Sequence, residues 1–121
     1  MRRGLHGWVI GLGCAVALAG ASGTWAGEKV TGEVVDLSCY LHHPGTSTGS
    51  SHRKCAEMCA KKGLPMALLT SDKQLYVLLE DHDNPKAYAA ALAKAAQQAT
   101  VEGDKATAGG VQAIVVEAVA D

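Results

Sequence analysis

Short runs of aliphatic and β-branched residues, separated by polar turns, recur along the chain from residue 29 onward. In the first run, the β-forming residues Val30, Val34 and Val35 are interleaved with polar residues, which is typical of a strand. These polar residues are Thr31, Glu33 and Asp36. Gly32 within it predicts a bulge or a tight bend. The same pattern predicts five strands in all, over residues 29–38, 66–69, 74–80, 101–107 and 111–119.

A short helix is predicted over 52–62, between the first and second strands. Ser51 is a favoured N-cap residue, and two lysines in the last turn suit the negative end of the helix dipole. Gly63 fits the left-handed position that ends many helices, and Pro65 prevents continuation.

A second helix is predicted over 85–99, with Asn84 as N-cap and Pro85 in the first turn. Its apolar positions recur at helical spacing. They are Tyr88, Leu92, Ala95 and Ala99.

The predicted order is strand, short helix, two-strand hairpin, helix, two-strand hairpin. Five short strands with a helix between the third and the fourth is the order of an OB-fold. The sequence therefore predicts a mainly β protein built as a five-stranded OB-like barrel with two helices.

The N-terminus has the pattern of a secretory signal peptide. Arg2 and Arg3 precede an apolar run over 8–20, and Thr24-Trp25-Ala26 has small residues where a signal peptidase cleaves. We therefore expect 1–26 to be removed and 27–121 to form a single domain, periplasmic or secreted. The apolar run is short for a membrane span, so no stable span is expected after cleavage.

Charge limits the partners of the mature chain. Two of the 11 lysines and arginines lie in the leader, which leaves nine against 12 aspartates and glutamates and a formal charge of −3. No basic patch interleaved with aromatic residues is present, so nucleic-acid binding is not expected. A metal ion or an exported protein is the expected partner.

Most of the side chains that can bind a metal or change oxidation state lie in one stretch, residues 39–59. It contains three of the four cysteines and three of the five histidines. On a helix, His52, Cys55 and Cys59 share one face. Cys39, expected at the end of the first strand, can approach that face if the Gly/Ser/Thr loop over 43–50 folds back.

These residues predict a metal site formed by Cys39, Cys55, Cys59 and His52, with His42 and His43 as further candidates. Thiolate and imidazole ligands suit tetrahedral zinc or a soft copper(I) ion. The odd number of cysteines left after cleavage favours such a site. Arg53 and Lys54 are expected to lower the pKa of the thiols. Met58 and Met66 are candidate soft auxiliary ligands, but filling of the core is the preferred interpretation for each.

Two alternatives remain open. In the first, a disulfide joins Cys39 to Cys55 or Cys59, because disulfides persist in exported proteins. The chain would then be a stapled interaction or ligand-binding module. In the second, which has less support, the thiols perform redox chemistry. No Cys-x-x-Cys motif is present, and no residue in the sequence is identified as an orienting partner for a Cys/His pair, so the chain is not expected to be an enzyme.

The chain also resembles a known group. The segments Val30-Thr31-Gly32-Glu33-Val34-Val35-Asp36 and Gly110-Val111-Gln112-Ala113-Ile114-Val115-Val116 are similar to the first and last strands of small exported bacterial OB-fold proteins. The pattern Cys39-Tyr40…His52-x2-Cys55-x3-Cys59 resembles that of uncharacterised secreted bacterial proteins. This resemblance implies the OB-like architecture and assigns no catalytic residue.

Overall fold

The structure is a computed structural model that describes residues 27–120. The predicted leader over 1–26 lies outside the described residues. The strands are β1 (Glu28–Asp36), β2 (Met66–Leu69), β3 (Leu75–Glu80), β4 (Gln98–Ala108) and β5 (Val111–Ala120). The helices are α1 (Leu37–His42), α2 (Arg53–Lys61) and α3 (Pro85–Leu92), with a 3₁₀ turn at Ser50–His52 before α2.

The five strands form one mainly β sheet that closes into a ring in the order β1-β2-β3-β5-β4. Closure depends on β1, whose Glu33 pairs with Leu69 of β2 and with Gln98 of β4. The β3–β5 pair is parallel and the other pairs are antiparallel. The predicted OB-like order of strands and helices is confirmed.

Aliphatic side chains from every strand fill the interior of this ring. The largest that are fully buried are Met66, Leu68, Ile114, Val34, Val101 and Val116. Ala56 and Ala60 of α2 join the same cluster, so this helix packs against the core. Met66 fills the core as predicted, whereas Met58 on α2 is 55% exposed. The expectation that Met58 is also buried is therefore wrong.

Two glycines allow the strands to approach each other closely. A Cβ at Gly32 would lie 2.4 Å from the carbonyl oxygen of Leu69, where β1 passes from one partner strand to the other. The pairing of β1 with β4 is continuous through Gly32, so this glycine permits the close approach of β2 and does not form a bulge. The bulge lies between Glu102 and Gly103, where the β4–β5 register shifts.

The second predicted helix is too long: α3 ends at Leu92 instead of residue 99. The residues after it turn back to pair with β1, since the Ala96 amide donates to the Val34 carbonyl (2.7 Å) and the Val34 amide donates to the Gln97 carbonyl (3.0 Å). Ala96 has a φ of 59°, a left-handed value that interrupts a helix. Strand pairing therefore overrides the helix propensity of these alanines.

Asn84 precedes α3 as predicted, but its side chain does not cap the helix. Its Nδ2 donates instead to the carbonyl oxygen of Glu117, at 2.9 Å. Glu117 is the extra residue of β5 at the bulge, so its carbonyl needs a partner from outside the ladder. Asn84 therefore links the start of α3 to the bulge.

Candidate metal centre

Asp36, the last residue of β1, organises the region that follows. It is fully buried and serves as the N-cap of α1, because its Oδ1 accepts from the backbone amides of Ser38 (3.0 Å) and Cys39 (3.3 Å). This capping ends the strand two residues earlier than predicted. Cys39 consequently lies on a helix, not at the end of a strand.

The loop after α1 is closed by hydrogen bonds. The buried Ser47 hydroxyl donates to the Cys39 carbonyl at 3.0 Å, and the Gly49 amide donates to Glu33 Oε1 at 2.6 Å. The His52 amide then donates to the Gly49 carbonyl at 3.1 Å. These contacts fold the loop back so that His52 returns to the end of β1.

α2 begins at Arg53, after the 3₁₀ turn, and Ser51 does not cap it as predicted. The end of α2, by contrast, is as predicted, with Gly63 in the left-handed position that follows it. Gly63 has a φ of 75°, its amide donates to the Ala60 carbonyl, and the Leu64 amide donates to the Cys59 carbonyl. This pair of bonds defines a Schellman motif. The helix is short and regular, so Cys55 and Cys59 lie one turn apart on one face.

Four donor groups meet where these elements converge. One ligand atom from each of Asp36, Cys39, His52 and Cys55 lies within 4.8 Å of the others. Asp36 is buried, Cys39 and His52 are half-buried, and Cys55 is exposed. The group therefore runs from the protein interior to the surface.

Three of the predicted metal ligands, Cys39, His52 and Cys55, belong to this group. Cys59 is not one of its four members, but its thiol lies close enough to Asp36 and Cys55 for both to affect its pKa. It therefore lies beside the group. The further candidates His42 and His43 are not members. The three cysteines of the described chain are free thiols.

Two atoms of the group lack hydrogen-bond partners of normal geometry. They are Asp36 Oδ2 and His52 Nε2, and both are buried. A buried polar atom without a partner costs about 1–3 kcal/mol. Each is also an atom type that binds transition metals, so an ion bound here would satisfy both.

The Asp36 carboxylate and the thiols of Cys39 and Cys59 shift one another's pKa values. Burial alone raises the pKa of Asp36, but hydrogen bonds from Cys59, Cys39 and the backbone outweigh it, and the net pKa lies below the usual value. Thiols are weak donors, which is consistent with Oδ2 having no well-formed partner.

In return, the hydrogen bond to Asp36, burial and the negative charge of Asp36 raise the pKa of Cys39 to about 11. The same causes raise the pKa of Cys59 to about 12. The expectation that Arg53 and Lys54 lower the thiol pKa is therefore wrong for these two cysteines. Asp36 has a larger effect on the pKa of these thiols than the two basic residues. Arg53 Nε instead pairs with Glu57 Oε1, at 2.8 Å.

This set of donors can hold one transition-metal ion. The bond lengths of tetrahedral zinc place neighbouring sulfur, nitrogen and oxygen ligands roughly 3.3–3.8 Å apart. A group already within 4.8 Å needs a contraction of at most about 1.5 Å to reach that spacing. Because Cys39 and Cys59 are protonated at neutral pH, the ion must displace their protons, and its affinity should rise with pH.

Asp36 is the site residue that the sequence analysis missed. The sequence pattern alone makes it a polar position of the first strand. One feature of the sequence indicates its role: Asp36 lies three residues before Cys39. An aspartate that caps a helix brings its carboxylate next to the side chains of the first turn. Its burial, which makes it important here, depends on α1 and α2 folding over it.

We predict that Asp36→Asn destabilises the metal-free protein at neutral pH. The asparagine oxygen can still cap α1, but the negative charge that interacts with the neighbouring thiols of Cys39 and Cys59 is lost. The pKa of Asp36 is lower in the folded state, so its stabilisation is present above the unfolded pKa of about 3.9 and is lost as pH falls through the folded value.

Urea unfolding of both proteins measures this effect. The stability difference should be largest at neutral pH and shrink as the pH falls below about 4. A difference that grows as the pH falls would contradict this role. Asp36→Ala, which also removes the cap, should cost about 1 kcal/mol more.

No protein-family model, curated protein or solved structure matches this chain. Within residues 27–120, none of the helices has both the length and the apolar character required to span a bilayer.

Proposed function

We propose that this chain is an exported, non-catalytic protein that binds one copper or zinc ion. Cys39, Cys55 and His52 hold the ion, and the neighbouring Cys59 or Asp36 completes its coordination. The leader-like N-terminus supports a periplasmic or secreted location.

One observation carries this proposal: four donors of metal-binding type lie within 4.8 Å of one another, and two of their atoms are buried without partners. Buried polar atoms are normally satisfied, so two unsatisfied ligand-type atoms in one cluster favour an ion. The donors include sulfur and imidazole, which bind copper and zinc in preference to magnesium or calcium.

Native mass spectrometry and elemental analysis of the exported, mature protein test the proposal. We expect one copper or zinc ion per chain and three reduced thiols after its removal. His52→Gln should lower the metal content. His82→Gln is the matched control, because His82 is an exposed turn residue outside the cluster, and it should leave the content unchanged. Wild-type protein that binds neither ion would refute the proposal.

A disulfide-stapled interaction module is the second candidate, supported by the proximity of the Cys39 and Cys55 sulfurs. A bond between them would close a loop of about 15 residues and contribute about 3 kcal/mol in the chain-entropy model. It predicts a mass lower by two hydrogens, one free thiol and no stoichiometric metal in the same experiment.

A further inference from the structure

Met58 is exposed at the protein surface, close in sequence to the cluster. It lies on α2 with 55% of its surface exposed, whereas Met66 is fully buried in the core. Met58 follows Cys55 by three residues, so the two side chains share a face of the helix. Cys55 is the exposed member of the four-donor group. An exposed thioether therefore lies next to the outermost ligand of the cluster.

The region around the cluster is held together by contacts that need no ion. Asp36 caps α1, the Ser47 hydroxyl and the Gly49 amide close the loop, and the Schellman motif at Gly63 ends α2. A structural zinc site usually supplies the fold of the segment that carries its ligands. Here hydrogen bonds hold much of this segment in place, which favours a transported ion over a structural one.

Thioether sulfur separates the two candidate ions. Methionine is a soft ligand that suits copper(I), whereas the usual protein ligands of zinc are Cys, His, Asp and Glu. Cys55 and Met58 together present two sulfurs on the surface, and Cys39 and Cys59 place two more beside them. A path of sulfur donors thus leads from solvent toward the buried Asp36.

We propose, on the basis of the function proposed above, that the cargo is copper(I) and that Cys55 and Met58 form the point where it enters and leaves. Copper(I) exchanges by stepwise replacement of one sulfur ligand by another, with no change in oxidation state. Met58 accepts the ion transiently at the surface. Cys55 then passes it to Cys39, whose thiol releases its proton to solvent as the new Cu–S bond forms. Met58 is not a ligand of the resting site, so it affects the rate of exchange more than the equilibrium affinity.

The test compares copper(I) transfer from the loaded mature protein to a coloured chelator, bathocuproine disulfonate, under reducing conditions. Met58→Leu keeps the size and apolar character of the side chain and removes the sulfur. It should slow transfer in both directions by about 10-fold, the lower end of the effects seen when residues around a metal site are changed. The equilibrium affinity for copper(I) should be almost unchanged.

Met66→Leu is the matched control: the same substitution at a buried methionine should leave the transfer rate unchanged. Transfer of zinc to a zinc chelator should not respond to Met58→Leu.

The outcomes separate this inference from the proposed function. If copper(I) binds and Cys55→Ser abolishes binding, but Met58→Leu transfers copper at the wild-type rate, the role of Met58 is refuted and the metal site stands. If the protein binds zinc and not copper(I), the identity of the cargo is refuted. If neither ion binds, the proposed function itself fails.

Discussion

Replacing Cys39 with serine is expected to lower metal affinity by about 100-fold or more. Removing a direct ligand should cost at least as much as the 10–100-fold lost when the residues that support ligands are changed. Cys39 is central because it is within 4.8 Å of Asp36, His52 and Cys55 and interacts with two of them through its thiol. Cys55→Ser should have a similar effect, since Cys55 belongs to the same group.

Cys59→Ser provides the internal comparison. Cys59 lies beside the four-donor group without belonging to it, so its loss should reduce affinity less than the loss of Cys39. Competition with a chelator of known affinity measures all three variants. Equal affinities for Cys39→Ser and wild type would exclude Cys39 as a ligand. A larger loss for Cys59→Ser would place the ion between Cys55 and Cys59 on α2.

Gly103→Ala is expected to destabilise the protein by about 3 kcal/mol or more, a loss in the upper range for single substitutions. A Cβ at this position would lie 1.8 Å from the carbonyl oxygen of Val115 and 3.2 Å from Ile114 Cγ1. The oxygen belongs to the backbone of β5, so the clash cannot be relieved by a change of side-chain rotamer. The two strands must separate at the bulge, where the ring depends on their pairing.

Urea unfolding of the metal-free protein measures this loss. Gly45→Ala is the matched control, because a Cβ at Gly45 meets nothing within 4 Å. Gly45→Ala should therefore change the free energy of unfolding very little. An unfolding midpoint for Gly103→Ala close to that of Gly45→Ala would show that β4 and β5 separate here at little cost.

The positions of the strands could be predicted from the sequence because half-buried strands impose a simple alternation. Val30 and Val34 face the core, and the turn at Gly109 and Gly110 has the positive φ angles that glycine favours. The end of α2 at Gly63 likewise depends only on residues close to it in the sequence. Such features depend on the nearest few residues, which a sequence displays directly.

The end of α3 could not be predicted in this way. Ala93 to Ala99 are rich in alanine, which has the highest helix propensity, but their backbone pairs with Val34, some 60 residues earlier in the chain. The left-handed φ of Ala96 is a consequence of that pairing. Local propensity contains no information about a partner so distant.

The sequence by itself determined that one stretch holds most of the thiols and imidazoles, that Cys55 and Cys59 share a helical face, and that the strands follow an OB-like order. These properties follow from spacing and composition. The tertiary structure alone decided that Asp36 is buried among the thiols, that it raises the pKa of Cys39 and Cys59, and that Met58 is exposed. The physical reason is that burial and electrostatic coupling depend on which elements pack together, and α1, α2 and the end of β1 meet only when the loop between the helices folds back.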